Sequence, residues 1–222
     1  DYYQTVTGYP TGAVYDGNNG VIIAVDGTDM IQRIDLLTLV VSTFSSSSSI
    51  TAAPLRQITR STADGSVYIV ESSTATIEKL DSLGQRTGNP FISTTTGSCV
   101  LATPYGITYI PTTQYIAVIS MAAAGKLQIY DKNGTCISQV TAAPFATGTP
   151  TGIAYHAPSN KLIVSFSTGN NLYAVNLDGS SPVLIYSNSS IINTPRGLAV
   201  DSAGYIYVSS TGTDTVEKLS FD

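Results

Sequence analysis

The chain repeats itself. A proline, one variable residue, a glycine and then an alternating apolar run occur as "YPTGAVYD" from Tyr9, "TPYGITYI" from Thr103, "TPTGIAYH" from Thr149 and "TPRGLAVD" from Thr194. A fifth copy, "PLRQITRS" from Pro54, departs from the pattern: Leu55 follows the proline, and Gln57 stands where the others have glycine. Aligned on that position (Gly12, Gln57, Gly106, Gly152, Gly197), the copies lie 45, 49, 46 and 45 residues apart. A near-constant period of this length restricts the chain to architectures that stack one supersecondary unit many times.

Each copy continues alike. A turn ("GNNG", "TADG", "SAG") leads to a β-branched and aromatic run such as "VIIAV", "VYIV" or "YIYVSS". A polar loop follows, and then a third apolar run such as "MIQRID", "TIEKLD" or "KLQIYD". "YIVESSTATIEKL" (Tyr68 to Leu80) and "YVSSTGTDTVEKL" (Tyr207 to Leu219) share six of thirteen residues without a gap, which chance composition does not supply. A last turn precedes a weaker fourth run, as in "VVSTF", "NPFIS", "CISQV" and "PVLIYS". Four antiparallel strands in about 40–50 residues is the period of a propeller blade.

A four-stranded sheet with two apolar faces cannot shield both, so the copies must stack face to face around an axis. The repeats therefore predict an all-β fold: a five-bladed propeller of four-stranded antiparallel blades, one domain over residues 1–222. The blades fall at about 9–54, 55–104, 105–150, 151–195 and 196–222 plus 1–8. The last copy ends after three strands at "KLSFD", whereas the chain opens with "DYYQTV". Pairing of Tyr2 to Val6 beside Thr215 to Phe221 is expected to close the ring and hide both edges. The repeated glycine is expected where innermost strands crowd the axis and a Cβ would collide with the next blade.

These units resemble NHL-type repeats. The pattern Pro-x-Gly-[Ile/Leu]-Ala-[Val/Tyr]-Asp, then Gly-x-[Ile/Leu]-Tyr-Val, then [Ile/Val]-x-[Lys/Arg]-Leu is matched best in Pro195 to Leu219, and the resemblance spans essentially the whole chain. It implies a propeller, although six blades are the commoner count in such proteins. It implies no single function, because propellers of this kind host binding modules and a few enzymes alike.

Composition narrows the setting. Only 11% of residues are charged, against about 25% in ordinary globular domains, and Ser, Thr, Gly and Asn supply the polar surface instead. That points to an exported protein, extracellular, cell-surface or periplasmic. The chain begins at Asp1 with no secretory leader, so a processed mature form or a domain of something larger is expected. A net charge of −5 gives no electrostatic basis for binding nucleic acid or an anionic bilayer. No apolar run approaches the ~20 residues of a spanning helix, so no membrane insertion is expected. Cys99 and Cys136 have neither CxxC nor histidine-associated spacing, which speaks against a metal. Two readings remain open: one disulfide closing a loop of 37 residues, or two separate buried thiols.

In a four-stranded blade the loop entering the first strand and the loop joining the second to the third lie on one face. The variable residue after each proline, Thr11, Arg56, Tyr105, Thr151 and Arg196, should therefore crown the channel. Arginine forks suit planar anions, and tyrosine offers a ring with a hydroxyl handle. The joining loops add Asp26, Glu71, Asn170 and Asp214. The expected ligand is a glycan, a small anionic molecule or a protein, with no cofactor. The alternative for the arginines is plain solvation, or rim salt bridges to Glu71 or Asp214.

Enzymatic readings have less to stand on. The single histidine, His156, aligns with Asp16 and Asp201 at the far end of the first strand, away from the arginines. Metal-dependent hydrolysis or paired-carboxylate chemistry needs acidic residues converging on the axis, and the first two strands of each copy are nearly empty of them. The sequence thus predicts a non-enzymatic, adhesin-like recognition module. A propeller hydrolase of the lactonase kind, or a structural spacer in a larger envelope or fibre protein, are the alternatives.

Overall fold

A computed structural model describes residues 6, 8–28, 30–45, 54–88, 90–122 and 125–221, and every regular element in them is a β-strand. The first sheet runs β1 (Tyr9–Tyr15), β2 (Gly20–Asp26), β3 (Met30–Asp35) and β4 (Val41–Ser45). The second holds β5 (Leu55–Arg60), β6 (Val67–Glu71) and β7 (Thr76–Leu80), followed by a small hairpin of β8 (Thr95–Thr96) and β9 (Cys99–Val100). The third is β10 (Pro104–Ile110), β11 (Tyr115–Ser120), β12 (Lys126–Tyr130) and β13 (Cys136–Val140). The fourth is β14 (Pro150–His156), β15 (Lys161–Phe166), β16 (Asn171–Val175) and β17 (Val183–Ser187). The fifth is β18 (Pro195–Val200), β19 (Ile206–Ser210) and β20 (Thr215–Leu219).

All neighbours are antiparallel and in sequence order, so the five repeats become the five blades of a β-propeller. In the second blade the fourth strand is reduced to isolated bridges: Arg86 pairs with Leu80, and Ile92 exchanges both backbone hydrogen bonds with Ile77 (2.9 and 3.1 Å). The closing strand expected at Tyr2 to Val6 lies outside the described residues, Val6 apart.

Local chemistry shapes each hairpin. Asp16 follows β1, and its Oδ1 accepts the N–H groups of Asn18 (2.6 Å) and Gly20 (2.9 Å), closing the turn into β2. Asp201 does the same for Ala203 and Tyr205 in the fifth blade. Such side-chain turns are why Asp punctuates strand ends throughout the chain.

The Pro-x-Gly signature is a β-bulge. In β1 Pro10 pairs with Val25 and Gly12 with Ala24, leaving Thr11 as the extra residue, and a register shift recurs at the same place in β5, β10, β14 and β18. A bulge re-aims its extra side chain out of the ladder. The glycine beyond it is required by crowding. A Cβ on Gly12 would stand 2.8 Å from the carbonyl oxygen of Arg56 in the next blade, and one on Gly152 would overlap that of Arg196. Gly197 is different: what a Cβ there would meet is Ser209 Oγ of its own sheet, at 3.2 Å.

Four apolar clusters fill the seams between successive blades. Ile22, Ala24, Ile58 and Ile69 join the first to the second, and Val70, Ile77, Ile107 and Val118 the second to the third. Ile119, Leu127, Ile153 and Val164 join the third to the fourth, and Ile163, Leu172, Ile206 and Val208 the fourth to the fifth. Across the remaining seam the described residues form no such cluster: Tyr15 of the first blade and Val216 of the fifth are 55% and 70% exposed.

Near the axis, hydroxyls pin one blade to the next. Thr59 Oγ1 accepts the N–H of Tyr109 (3.0 Å), and Thr108 Oγ1 that of Tyr155 (3.3 Å). Outside, the two cysteines are bonded to one another. The disulfide has its Cα atoms 5.8 Å apart and ties β9, which follows the second blade, to β13 at the rim of the third.

Candidate functional site

Because the bulge lifts its extra residue out of the pairing ladder, four of the five variable positions reach one cavity at the channel mouth. It measures about 360 Å³, and Thr11, Arg56, Tyr105 and Arg196 line it together with Pro10, Gln57, Gly197, Ser209 and Thr211. The Arg56 guanidinium lies 5.8 Å from the centre of the Tyr105 ring. Its Nη1 stands 3.6 Å from Asp26 Oδ2, a long single contact between partly exposed groups. Arg196 has no ion-pair partner among the described residues.

The remaining predicted positions are elsewhere. Thr151 is 0% exposed, and its hydroxyl donates to the carbonyl of Pro195 at 2.6 Å, so the bulge of the fourth blade turns inward. Glu71 is buried, its Oε2 accepting the hydroxyls of Thr74 (3.2 Å) and Thr76 (3.1 Å). Asn170 holds the neighbouring loop by accepting the N–H of Thr194 at 2.8 Å. Asp214 is exposed at its turn. Asp26 reaches the mouth only through Arg56.

Sequence reading missed Gln57, Ser209 and Thr211. Gln57 carried a signal, since it puts a side chain where four copies have none. Its Oε1 accepts the N–H of Ile107 (3.3 Å), which leaves the amide N–H groups available to the cavity. Ser209 Oγ accepts the N–H of Gly197 (2.8 Å) and keeps its own proton to donate. Thr11 and Thr211 donate to backbone carbonyls, at 3.3 and 3.0 Å.

Beneath the mouth a second cavity of about 440 Å³ runs along the axis, lined by the innermost strands of all five blades and sharing Thr11, Gln57 and Gly197 with the first. None of its lining residues is charged. His156 sits at the opposite end of the blades, buried and stacked on Phe221 at 4.4 Å. Its Nε2 donates to the carbonyl of Gly204 (2.9 Å), while Nδ1 accepts from Ser159. The Nε2 bond to Gly204 clamps the fourth blade to the fifth. Among the described residues no three His, Cys, Asp or Glu side chains are grouped to hold a metal ion.

Fold and repeats thus define a β-propeller whose axis opens through a cationic, aromatic mouth. No family model matches this sequence, and no curated protein matches it. Solved structures do. A chain in the crystal structure of a nidogen/laminin complex is 16% identical with a TM-score of 0.76, over 96% of this chain and 76% of that one. Virginiamycin B lyase from Staphylococcus aureus is similar at 16% identity and a TM-score of 0.70, over 96% and 70%. A streptogramin B lyase structure matches at 16% identity and 0.70, over 96% and 68%. At this identity the likeness concerns the fold alone.

Proposed function

We propose that this propeller is a non-enzymatic recognition module, exported or displayed at a cell surface, that holds its ligand at the channel mouth. One observation carries the reading: Arg56, Tyr105 and Arg196, far apart in sequence, share a cavity with no acidic lining residue, and Arg196 is unpaired among the described residues. Arginine forks and a tyrosine ring are what grip carboxylates, sugars and protein anchors. The NHL-like repeats suit such a role, and the relative solved in a nidogen/laminin complex supports a protein as one class of ligand. The disulfide agrees with an oxidising compartment.

Catalysis is the second reading, favoured by the two lyases among the structural relatives. The decisive experiment is binding to glycan, peptide and small-anion arrays, repeated with Arg56→Ala and Arg196→Ala. Signal lost in both variants supports the mouth as the binding site. Signal unchanged in both removes it, and turnover of a bound compound favours the enzyme.

A further inference from the structure

We infer that the mouth and the axial channel form one composite site for a small amphiphilic carboxylate, its head at Arg196 and its uncharged body in the channel; this rests on reading the mouth as a ligand site. Three observations lead there.

The first is hydrogen-bond polarity. The spare capacity around the mouth is dominated by donors: the two guanidinium groups, the Gln57 amide and the Ser209 hydroxyl, beside the Tyr105 hydroxyl, which can donate or accept. A cavity of donors without a carboxylate selects an acceptor-rich anion. The chain as a whole carries −5, so this concentration of positive charge is local and no by-product of a basic protein.

The second is charge count. Asp26 already faces Arg56, which leaves one arginine uncompensated. A single planar negative group matches one free fork, whereas a phosphate dianion would carry its second charge into a channel with no charged residue to meet it.

The third is the channel itself. It shares Thr11, Gln57 and Gly197 with the mouth and lies within the usual ligand-pocket range of roughly 300–1,000 Å³; nine of its eighteen lining residues are Val, Ile, Leu or Ala, and none of the rest is charged. Two of its hydroxyls, Thr59 and Thr108, are anchored as acceptors of backbone N–H groups and keep their own protons to donate. Such uncharged, half-apolar walls favour an uncharged body with an apolar stretch over a charged one.

The test is NMR titration of the whole chain with acetate, butyrate, hexanoate, 3-phenylpropanoate and hexanamide. Affinity should rise along the acid series, by up to about fourfold for each methylene buried, and hexanamide should bind at least tenfold more weakly than hexanoate. Arg196→Ala should weaken every acid alike. Ala199→Leu narrows the channel at an exposed lining position; it should abolish the dependence on tail length and leave acetate unchanged.

Equal affinity for acetate and hexanoate, or a tail dependence that survives Ala199→Leu, overturns the composite site while the mouth stands. Array ligands that need Arg56 and Arg196, with no response to any carboxylate, do the same. Acids that bind without regard to either arginine bring down both readings.

Discussion

The hydroxyl oxygen of Thr59 accepts the backbone N–H of Tyr109, 3.0 Å away and 50 residues further along the chain. The bond crosses a blade boundary beside the axis, where innermost strands have no further strand to pair with. Thr59→Val keeps the shape and removes the acceptor. It should cost about 1–3 kcal/mol, the penalty of an orphaned buried N–H, read as a lower midpoint in urea with an unchanged slope. Thr59→Ser should recover most of the loss.

The repeated glycine does not matter equally in every blade. Gly12→Ala and Gly152→Ala drive a methyl group into a neighbouring backbone and should each destabilise by about 1–3 kcal/mol. Gly197→Ala meets only the Ser209 hydroxyl and should stay within about 0.5 kcal/mol of the parent. Thermal unfolding of the three variants side by side checks the ranking.

Glu78 is 0% exposed and receives two hydrogen bonds from Arg86, Nε to Oε2 at 2.7 Å and Nη2 to Oε1 at 2.6 Å. Burial pushes its carboxyl up, and the arginine opposes that without cancelling it. Arg86→Met strands the carboxylate and should cost about 3–5 kcal/mol, whereas the Arg86→Met, Glu78→Met pair should regain most of it. A double-mutant cycle measures the difference.

Reducing the Cys99–Cys136 bond frees a loop of 37 residues in the unfolded chain. The expected loss is about 3–4 kcal/mol on the chain-entropy model. Denaturation of the Cys99→Ser, Cys136→Ser double variant should show it, and added reductant should then have no further effect.

Asp16 governs part of the acid limb of stability. Burial alone would raise its carboxyl, but the N–H groups of Asn18 and Gly20 and the hydrogen bond and charge of Arg33 hold it below the ordinary 3.8. Its contribution is complete above 3.8 and is lost as pH falls from there through the lower folded value. Asp16→Asn should reduce stability at neutral pH and flatten the decline below pH 3.8, followed by melting temperature against pH.

Period and alternation made the five blades legible before any coordinates, because four strands per copy leave few ways to bury two apolar faces. Arg56, Tyr105 and Arg196 were legible as a group for the same reason: a fixed offset from a repeated proline becomes a fixed place in a ring. The orientation of Thr151 was not. It occupies the same slot as Thr11, and what turns it inward is the Pro195 carbonyl of the next blade, a contact 44 residues away. Glu71 likewise reads as a loop carboxylate until Thr74 and Thr76 fold over it. Gln57 looked like a lapse in the motif and proved to be part of the cavity wall.

Since Thr11, Arg56, Tyr105 and Arg196 stand outside the rungs that hold their sheets together, exchanging them leaves the scaffold's pairing untouched. The propeller behaves as a lock whose tumblers can be recut singly, since these four places can change without the chain having to learn again how to fold.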